Sequence, residues 1–324
     1  MKTHLIFSAT LAVAATFIHS LAIAQTAWPD KPVKLIVPYA PGGTTDFAAR
    51  QIAQKLTEQT GKSFFVENKA GASGLIGTDV VAKSPADGAT FQINDTTYAM
   101  LPHLFKKLPW DHGKDLIPVT IIAQTPLVLV VSEKSPHKTM QELIAFAKKN
   151  PGKLNYGSGG VGSSTHLGGE LFKDAAKIDA THVPFKGAGE AMLNVVSGSV
   201  DFLVTAAPTA IPQVNGGRIR ALAVTSPARI ATLANVPTTM EAGLKDFNAT
   251  NWFGIAAPKG TPQPVIDKLH SEVKKALASP DLAKRFADQG AEPGGISPVE
   301  FQTFVKAETE RWGKIIRAAG VKPE

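Results

Sequence analysis

The chain has 324 residues, 44% of them hydrophobic, and a formal net charge of +7, and it contains no cysteine. The missing cysteines exclude disulfides, thiolate metal sites and a lipidated cysteine. The basic residues are spread along the chain without a basic block or interleaved aromatics, which argues against nucleic-acid binding. The mild positive excess fits an anionic ligand or a role in solubility equally well.

Residues 1–24 have the pattern of a secretory signal peptide. Lys2 supplies a positive start, a mostly apolar run extends from Leu5 to Ile18, and Ala22-Ile23-Ala24 is a small-x-small cleavage site. The apolar run is shorter than the roughly 20 residues that a membrane span needs, which disfavours an uncleaved anchor. We therefore predict an exported protein, and the roughly 300 remaining residues suffice for two domains.

The first glycine-rich turn follows a buried strand predicted at Val33–Val37. Pro41-Gly42-Gly43 breaks the strand, Thr44 or Thr45 can cap the next helix, and Asp46 falls in its first turn. Unpaired N–H groups and the positive end of the helix dipole would make this junction an anion site. The alternative is that Pro-Gly-Gly is only a tight turn between strand and helix.

The same order of elements then repeats. A strand is predicted at 63–67, a second glycine-rich turn at 68–74, a helix through Ile76 and a strand at 90–93. Alternating strands and helices of this kind predict a doubly wound α/β fold with a parallel sheet.

Residues 117–132 are long, β-branched and almost uncharged, without a helical period. We expect this segment to pass from one domain into another, and residues 251–257 to form a strand that returns. The predicted division is therefore a first domain of residues 25–124 plus 250–324 and a second domain of residues 125–249.

The third glycine-rich turn, SGGVGSSTHLGGELF, follows a strand predicted at 153–157. Its hydroxyl and imidazole side chains lie at or before the start of a helix near 163–165. A cluster of hydroxyl and backbone donors can hold a carboxylate in one small volume. The residues are Ser158, Ser163, Ser164, Thr165 and His166.

Several catalytic and cofactor motifs are present only in part. The spacing Gly157-x-Gly159-x-x-Gly162 matches a dinucleotide fingerprint, but Lys186 stands after the following strand, where an acidic residue is needed. Gly61-Lys62-Ser63 resembles the end of a P-loop, yet Leu56 replaces its leading glycine. No G-x-S-x-G nucleophile elbow occurs. These failures favour a protein without a cofactor.

The histidines give a weak signal for chemistry. His166 lies beside Ser164, but neighbouring residues near a helix start seldom point at each other, which disfavours a Ser–His pair. No histidine of the mature chain is paired at i, i+4 and H-E-x-x-H is absent, so solvated or capping roles are favoured over metal binding. We predict no metal site.

The rest of the chain continues the α/β pattern. Lys186, at the end of a strand predicted at 181–185, either faces the cleft or is an ordinary solvated lysine. Further strands are predicted at 200–205 and 219–225, and helices at 139–150, from Pro208, at 237–242, at 261–279 and from Ser297. The apolar side of the last helix is predicted to be core: Phe301, Phe304, Val305, Trp312 and Ile315.

Three glycine-rich turns need one explanation. In open α/β sheets, ligands bind beyond the carboxyl ends of the strands. Two turns precede the crossing at 117–132 and one follows it, so two facing sheets would place all three around one cleft. We predict a clamshell that closes on an anion. Its donors are hydroxyls and N–H groups, which suit holding a ligand better than transforming it.

Six segments resemble the Bug family of periplasmic solute-binding proteins, the receptors of tripartite tricarboxylate transporters. They run in order through essentially the whole mature chain. The segments are WPDKPVKLIVPYAPGGTTDFAAR (28–50), VENKAGASGLIGTDVVAKSPADG (66–88), LNYGSGGVGSSTHLGGELF (154–172), VPFKGAGEAMLNVVSG (183–198), GRIRALAVTSPAR (217–229) and NWFGIAAPKGTP (251–262).

The resemblance implies two Rossmann-like, doubly wound domains with a ligand cleft between them, a Venus-flytrap fold. It implies a monomeric periplasmic receptor for a small carboxylate, a di- or tricarboxylate, an amino acid or an aromatic acid, which docks to membrane transporter subunits. A receptor that presents its ligand to a signalling partner is a variant. The implied ligand-binding residues are Tyr39, Ala40, Pro41, Gly42, Gly43, Asp46, Ala72, Ser73, Ser158, Gly159, Gly162, Ser163, Ser164, Thr165 and His166, and we add Lys186 and Thr205.

Thr205 is a departure from the family pattern. Many members have an aspartate after the corresponding strand, which can bind a ligand amine or hydroxyl. Threonine there argues for an acid without an amine. The alternative function is a secreted α/β enzyme acting on a carboxylate, against which the incomplete motifs speak.

Overall fold

The computed structural model describes residues 28–323 except 246, 248 and 319, so the predicted signal peptide lies outside the described residues. The strands are β1 (Val33–Val37), β2 (Phe64–Asn68), β3 (Thr90–Asp95), β4 (Leu116–Ser132), β5 (Leu154–Ser158), β6 (Ala180–Pro184), β7 (Phe202–Ala206), β8 (Ile219–Val224), β9 (Thr250–Pro258) and β10 (Glu292–Pro293).

Helices alternate with these strands through most of the chain. They are α1 (Thr44–Thr60), α2 (Leu75–Ala82), α3 (Thr96–Leu104), α4 (Met140–Lys149), α5 (Ser164–Ala176), α6 (Ala188–Ser197), α7 (Ala207–Asn215), α8 (Gln263–Leu277), α9 (Pro280–Asp288) and α10 (Pro298–Ala318). Short 3₁₀ turns occur at Ala72–Gly74 and Ala231–Leu233.

The strands form a sheet in the order β2-β1-β3-β9-β4-β7-β5-β6, with β8 and β10 also paired to β4. The first part of β4 pairs with β9, from Leu116 opposite Pro258 to Pro126 opposite Thr250. From Leu127 onward, β4 pairs with β7 and, over nearly the same residues, with β8. The strand predicted at 117–132 is therefore confirmed, and it pairs with strands of both halves of the sheet.

The predicted α/β fold is confirmed, but its sheet is not parallel throughout. β1 is parallel to β2 and β3, and β5 is parallel to β6 and β7. β9 is antiparallel to β3 and to β4, and β4 is antiparallel to β7. The reversal arises because the chain leaves the first half of the sheet along β4 and comes back along β9.

The first strand–helix unit shows why this sequence folds locally as predicted. Val33, Leu35 and Val37 of β1 are fully buried, as are Ala49 and Leu56 on the predicted apolar face of α1. Gly61 ends α1 with φ of 68°, a left-handed conformation that costs glycine little. One predicted detail is wrong, because the N-cap is Gly43 and neither Thr44 nor Thr45 caps the helix.

One prediction in the second half of the chain is wrong. Residues 237–242 form turns rather than a helix, because Thr239 N–H and Pro237 C=O bond to the backbone of Val224 in β8. The helix predicted at 261–279 is confirmed as α8 to within two residues at each end. Two helices were not predicted, α3, which begins at Thr96, and α9, which begins at Pro280.

The C-terminal helix α10 packs on α3 and β4. Phe301 and Trp312 are buried, and Trp252 of β9 meets Phe301 edge to face with ring centroids 5.5 Å apart. The predicted core role of this aromatic stripe is confirmed. No helix within the described part of the chain is long and apolar enough to cross a membrane.

Candidate ligand-binding site

The starts of five helices, α1, α3, α5, α6 and α7, meet at one cavity between the two halves of the sheet. The space free of atoms, including solvent continuous with it, is about 440 Å³. Its described lining contains no lysine or arginine. The lining residues are Tyr39, Ala40, Gly43, Thr44, Thr45, Asp46, Asp95, Thr97, Gly159, Ser163, Ser164, Thr165, Ala188, Thr205, Ala206 and Asn251.

Helix α1 presents its N-terminus to this cavity without a side-chain cap. Its N-cap is Gly43, and Phe47 N–H is the first to find an intrahelical acceptor, the carbonyl of Gly43. The N–H groups of Thr44 and Thr45 precede that bond and lie at the positive end of the helix dipole. This end of α1 is therefore suited to a negatively charged group.

Asp95 organises the wall beside α1. Its carboxylate accepts hydrogen bonds from Tyr39 OH at 2.8 Å, from Thr45 Oγ1 at 3.0 Å and from Thr97 N–H at 2.9 Å. Burial raises the pKa of Asp95, and burial together with the nearby carboxylate raises the pKa of Tyr39. Because their protons are directed at Asp95, the Tyr39 and Thr45 hydroxyls are held in fixed orientations.

Asp46 stabilises the first glycine-rich turn through hydrogen bonds. It accepts hydrogen bonds from Arg50 Nε at 2.9 Å, Asn68 Nδ2 at 3.0 Å and Gly42 N–H at 3.2 Å. Burial alone would raise the pKa of this carboxyl, but the hydrogen bonds outweigh burial and hold the pKa below its ordinary value. Asp46 is thus a saturated carboxylate that fixes the turn.

Ser163 and Thr165 form a linked hydroxyl pair at the start of α5. Thr165 Oγ1 accepts from Gly159 N–H at 2.8 Å, Ser163 Oγ accepts from His166 N–H at 3.2 Å, and the two hydroxyls lie 3.0 Å apart. One hydroxyl donates to the other, so one proton of the pair remains for a group in the cavity.

Two stacked histidines stand behind this turn. The ring centroids of His166 and His182 lie 3.9 Å apart. Gly162 N–H donates to His166 Nδ1 at 3.0 Å, and His182 Nε2 lies 2.5 Å from Ser158 Oγ. Burial, with the neighbouring His166, lowers the pKa of His182 to about 3, and burial also lowers the pKa of His166. His166 is a buried capping residue, so the solvated alternative is wrong.

A second, more open pocket adjoins the first, and Tyr39 and Gly159 border both. Ala72, Ser73 and Lys186 line this second pocket, and the Lys186 side chain is exposed. Ser73 Oγ donates to the carbonyl of Val161, which joins the two halves of the molecule at the mouth.

The two halves also touch deeper in the cleft. Thr44 Oγ1 lies 2.6 Å from Thr209 Oγ1 of α7. A Cβ placed on Gly189 would lie 3.1 Å from the carbonyl oxygens of Gly42 and Pro41. The turns can approach this closely because Gly189 has no side chain, so the two halves are in contact here.

The structure distributes the predicted site residues over three places. The first cavity takes Tyr39, Ala40, Gly43, Asp46, Gly159, Ser163, Ser164, Thr165 and Thr205. The second takes Ala72, Ser73 and Lys186. Behind the turns, lining neither pocket, are Pro41, Gly42, Ser158, Gly162 and His166.

The prediction missed several lining residues. Asp95 ends β3, Thr97 is the second residue of the helix that follows it, and Ala206 ends β7, so the rule that ligands lie at strand ends could have found them. Asn251 is the second residue of β9, and its place depends on the antiparallel pairing that the sequence pattern did not show. The other missed residues are Thr44, Thr45 and Ala188.

Residues 48–321 match the family model of the tripartite tricarboxylate transporter family receptor, TctC. The chain belongs to this family. BugT of Bordetella pertussis is 35% identical over 319 residues, which cover 98% of this chain and 96% of BugT. The predicted resemblance to Bug proteins is therefore confirmed.

Two solved structures of Rhodopseudomonas palustris proteins resemble the fold closely. Rpa4515 with adipate has a TM-score of 0.89 and 38% identity, covering 92% of this chain and 100% of Rpa4515. MatC with bound malate has a TM-score of 0.85 and 31% identity, covering 89% of this chain and 100% of MatC. The family is one of transporter receptors, and the two neighbouring structures hold adipate and malate.

Proposed function

We propose that this protein is a periplasmic receptor that captures a small carboxylate in the first cavity and delivers it to the membrane subunits of a tripartite tricarboxylate transporter. The observation that carries the proposal is the meeting of five helix starts at one cavity whose described lining has no basic side chain. The adipate and malate held by two structural neighbours support a carboxylate.

The arrangement can hold an anion without a full positive charge. Partial charges at the helix starts and the hydroxyl proton of the Ser163–Thr165 pair spread the compensation over several neutral donors. Lys186 at the second pocket adds one exposed cation for a distal acidic group.

The proposal includes a cleaved signal peptide at residues 1–24, a monomeric mature chain without a cofactor, and two domains of residues 25–124 plus 250–324 and 125–249. It places the hinge where β4 and β9 cross between the domains. Closure would bring the residues predicted for the ligand site around the bound acid.

The enzyme alternative gains no support from the pair of a hydroxyl and an imidazole that lies near the site in the described part of the chain. Ser158 Oγ lies 2.5 Å from His182 Nε2, but Ser158 is fully buried and lines neither pocket. Its hydroxyl is also bonded to the backbone of Gly160. A nucleophile must reach its substrate, and this one is enclosed within its own turn.

The test is a thermal-shift panel of aliphatic, hydroxy, amino and aromatic acids with the purified mature protein, followed by mass spectrometry of each incubated acid. We expect one class of acid to raise the melting temperature, and to be recovered unchanged. Absence of a shift with every acid would contradict the receptor, and conversion of the binding acid would support the enzyme.

A further inference from the structure

The third glycine-rich turn, residues 158–163, is held in shape by side-chain acceptors. Three of its backbone N–H groups donate to a side chain. They are Gly159 N–H to Thr165 Oγ1 at 2.8 Å, Gly160 N–H to Ser158 Oγ at 3.1 Å and Gly162 N–H to His166 Nδ1 at 3.0 Å. Gly160 and Gly162 have φ of 125° and 75°, in the region that favours glycine. A backbone with this freedom depends on such bonds for a single shape.

His166 joins the end of this turn to the helix that follows. Its own N–H donates to Ser163 Oγ at 3.2 Å, and its Nδ1 accepts from Gly162 N–H. The two residues that precede α5 are therefore both bonded to one residue of its first turn. Because Ser163 Oγ lies 3.0 Å from Thr165 Oγ1 at the cavity wall, these bonds determine where the hydroxyl pair lies.

The same end of the turn lies against the other half of the molecule. A Cβ placed on Gly162 would lie 2.4 Å from Leu104 Cδ1 at the end of α3. Ser164 N–H donates to Thr97 Oγ1, at the start of α3, at 3.0 Å. A change of backbone shape at Gly162 would therefore disturb the contact between the halves as well as the hydroxyl pair.

The direction of the bond to Gly162 fixes the state of the imidazole. Because an N–H group donates to Nδ1, that nitrogen carries no proton, and the proton of the neutral ring is on Nε2. Nε2 lies 4.0 Å from Glu170 Oε1, and the Glu170 carboxylate already accepts from Tyr156 OH and Lys173 Nζ. Burial lowers the pKa of His166, in agreement with a neutral ring.

The His166 ring lies behind the turn rather than in the cavity. It is 6% exposed, lines neither pocket and stacks on His182 with an angle of 25° between the ring planes. This geometry favours an action through the turn over the direct ligand contact that the family resemblance implies for His166.

We propose that His166 is a positioning residue for ligand binding, whose Nδ1 acceptor holds Gly162 and thereby places the Ser163 hydroxyl where it reaches a carboxylate. This inference rests on the proposed function, because it assigns a residue that shapes the site of the bound acid. The acceptor at the Nδ1 position carries the effect, and the rest of the ring contributes to stability alone.

The first test compares His166→Asn with His166→Gln. The amide oxygen of asparagine stands as many bonds from the backbone as Nδ1 does, so it can accept from Gly162 N–H. The amide oxygen of glutamine stands one bond farther out and misses that position. Both variants remove the ring and its stack on His182, so both should melt at a lower temperature than the parent.

Calorimetry measures the affinity of each variant. The probe is the tightest binder to the parent among adipate, malate and the acid of the thermal-shift panel that raises the melting temperature most. We expect His166→Gln to bind this acid about tenfold more weakly than the parent, and His166→Asn to bind it at least about threefold tighter than His166→Gln. Asparagine leaves the larger cavity behind, so a role in stability alone predicts no such rescue.

His270→Gln is the matched control. His270 is half-buried on α8, its Nε2 lies 3.1 Å from the carbonyl oxygen of Ile296, and it lines neither pocket. This variant should melt lower and bind the acid with the affinity of the parent. An equal loss of affinity in His270→Gln and His166→Gln would overturn the positioning role.

The second measurement needs no variant beyond an assignment. Nitrogen-15 NMR of the histidine rings in the parent protein, at pH 7 with the probe acid bound, reports which ring nitrogen carries the proton. We expect His166 to be protonated at Nε2 and unprotonated at Nδ1. A proton on Nδ1 would overturn the proposal, because Gly162 N–H would then have no acceptor there.

The outcomes separate this proposal from the receptor. If the parent binds an acid but both His166 variants bind it equally well or equally poorly, the positioning role is overturned and the carboxylate receptor stands. If the parent binds no acid of the panel, the receptor fails and the positioning role fails with it.

Discussion

Ser163 has two separable roles, since its hydroxyl caps α5 and is linked to Thr165 at the cavity wall. We predict that Ser163→Ala lowers the free energy of unfolding by about 1 kcal/mol through the lost cap. It should also weaken carboxylate binding by about 1–3 kcal/mol, through a lost hydrogen bond to a charged group. Chemical denaturation and calorimetry measure the two effects.

The control for Ser163→Ala is Thr139→Ala. Thr139 caps α4 by accepting from Glu142 N–H at 3.1 Å and lies outside both pockets. The Thr139→Ala variant should lose about as much unfolding free energy as Ser163→Ala but bind the acid with the affinity of the parent protein. Parallel losses of affinity in the two variants would show that Ser163 acts only through folding.

His182 gives the receptor a dependence of stability on pH. Its pKa falls from an ordinary 6.5 to about 3 on folding, mainly through burial, so the unfolded chain binds the extra proton. Stability should therefore decrease as the pH falls below 6.5 toward 3. Because solvent reaches this ring in part, we expect a loss of only about 1 kcal/mol by pH 4.5.

Urea unfolding of the parent and of His182→Gln at pH 7 and pH 4.5 measures this effect. Glutamine cannot take up the proton, so the variant should lose less stability than the parent between the two pH values. An equal loss in both proteins would mean that His182 is not the group responsible.

At the residue scale, the sequence supported the choice of Ser163, Ser164 and Thr165 because hydroxyls at a helix start are visible in the pattern itself. The sequence could not show that the Asp46 carboxylate accepts hydrogen bonds from both Arg50 and Asn68, because Asp46 lies on α1 and Asn68 lies at the end of β2. Nor could it show that the ring of His182 stacks on the ring of His166, which is 16 residues earlier in the chain.

At the scale of elements, the start of α6 lies against the first glycine-rich turn across the cleft. A side chain at Gly189 would press on the carbonyl groups of Gly42 and Pro41. We predict that Gly189→Val keeps the cleft partly open and weakens binding by about tenfold, in the range that overpacking costs. Calorimetry with the tightest-binding acid measures it.

Leu193→Val is the control on the same helix. Leu193 is 60% exposed, so the variant adds a β-branched residue to α6 without a contact in the cleft. It should bind normally. If Gly189→Val binds the acid as tightly as the parent protein, the contact between Gly189 and the backbone of Gly42 and Pro41 is not needed for binding.

Most strand–helix units were predictable from period and turn signals, and the bounds of the predicted strands and helices agree to within about two residues. The helix α3 after β3 was not predicted. The antiparallel direction of β4 and β9 was not predictable, because the sequence pattern of a strand carries no information about the direction of the strand it pairs with. The helix expected at 237–242 failed for a related reason: its backbone groups pair with β8, a tertiary contact that local propensity does not include.

At the scale of the whole molecule, the proposed hinge predicts a change of shape. β4 and β9 are the strands that carry the chain between the halves, so opening requires bending near Pro126 and Thr250. Small-angle X-ray scattering should show a smaller radius of gyration with the binding acid than without it. Sodium chloride at the same ionic strength should not change it, and an unchanged radius with the acid would contradict a moving clamshell.

The overall architecture was the most predictable feature, because three glycine-rich turns on both sides of a crossing strand imply facing sheet edges. The division of the site into two pockets bordered by Tyr39 and Gly159 was not predictable, since it depends on distances between side chains from both halves.

The most direct test of the account is a crystal structure of the mature protein with its tightest-binding acid. We predict a closed cleft with one carboxylate within about 3 Å of the N–H groups of Thr44 and Thr45 or of the Ser163 hydroxyl. An acid bound outside the cavity lined by α1 and α5, or inside it with its carboxylate turned away from both helix starts, would contradict the account.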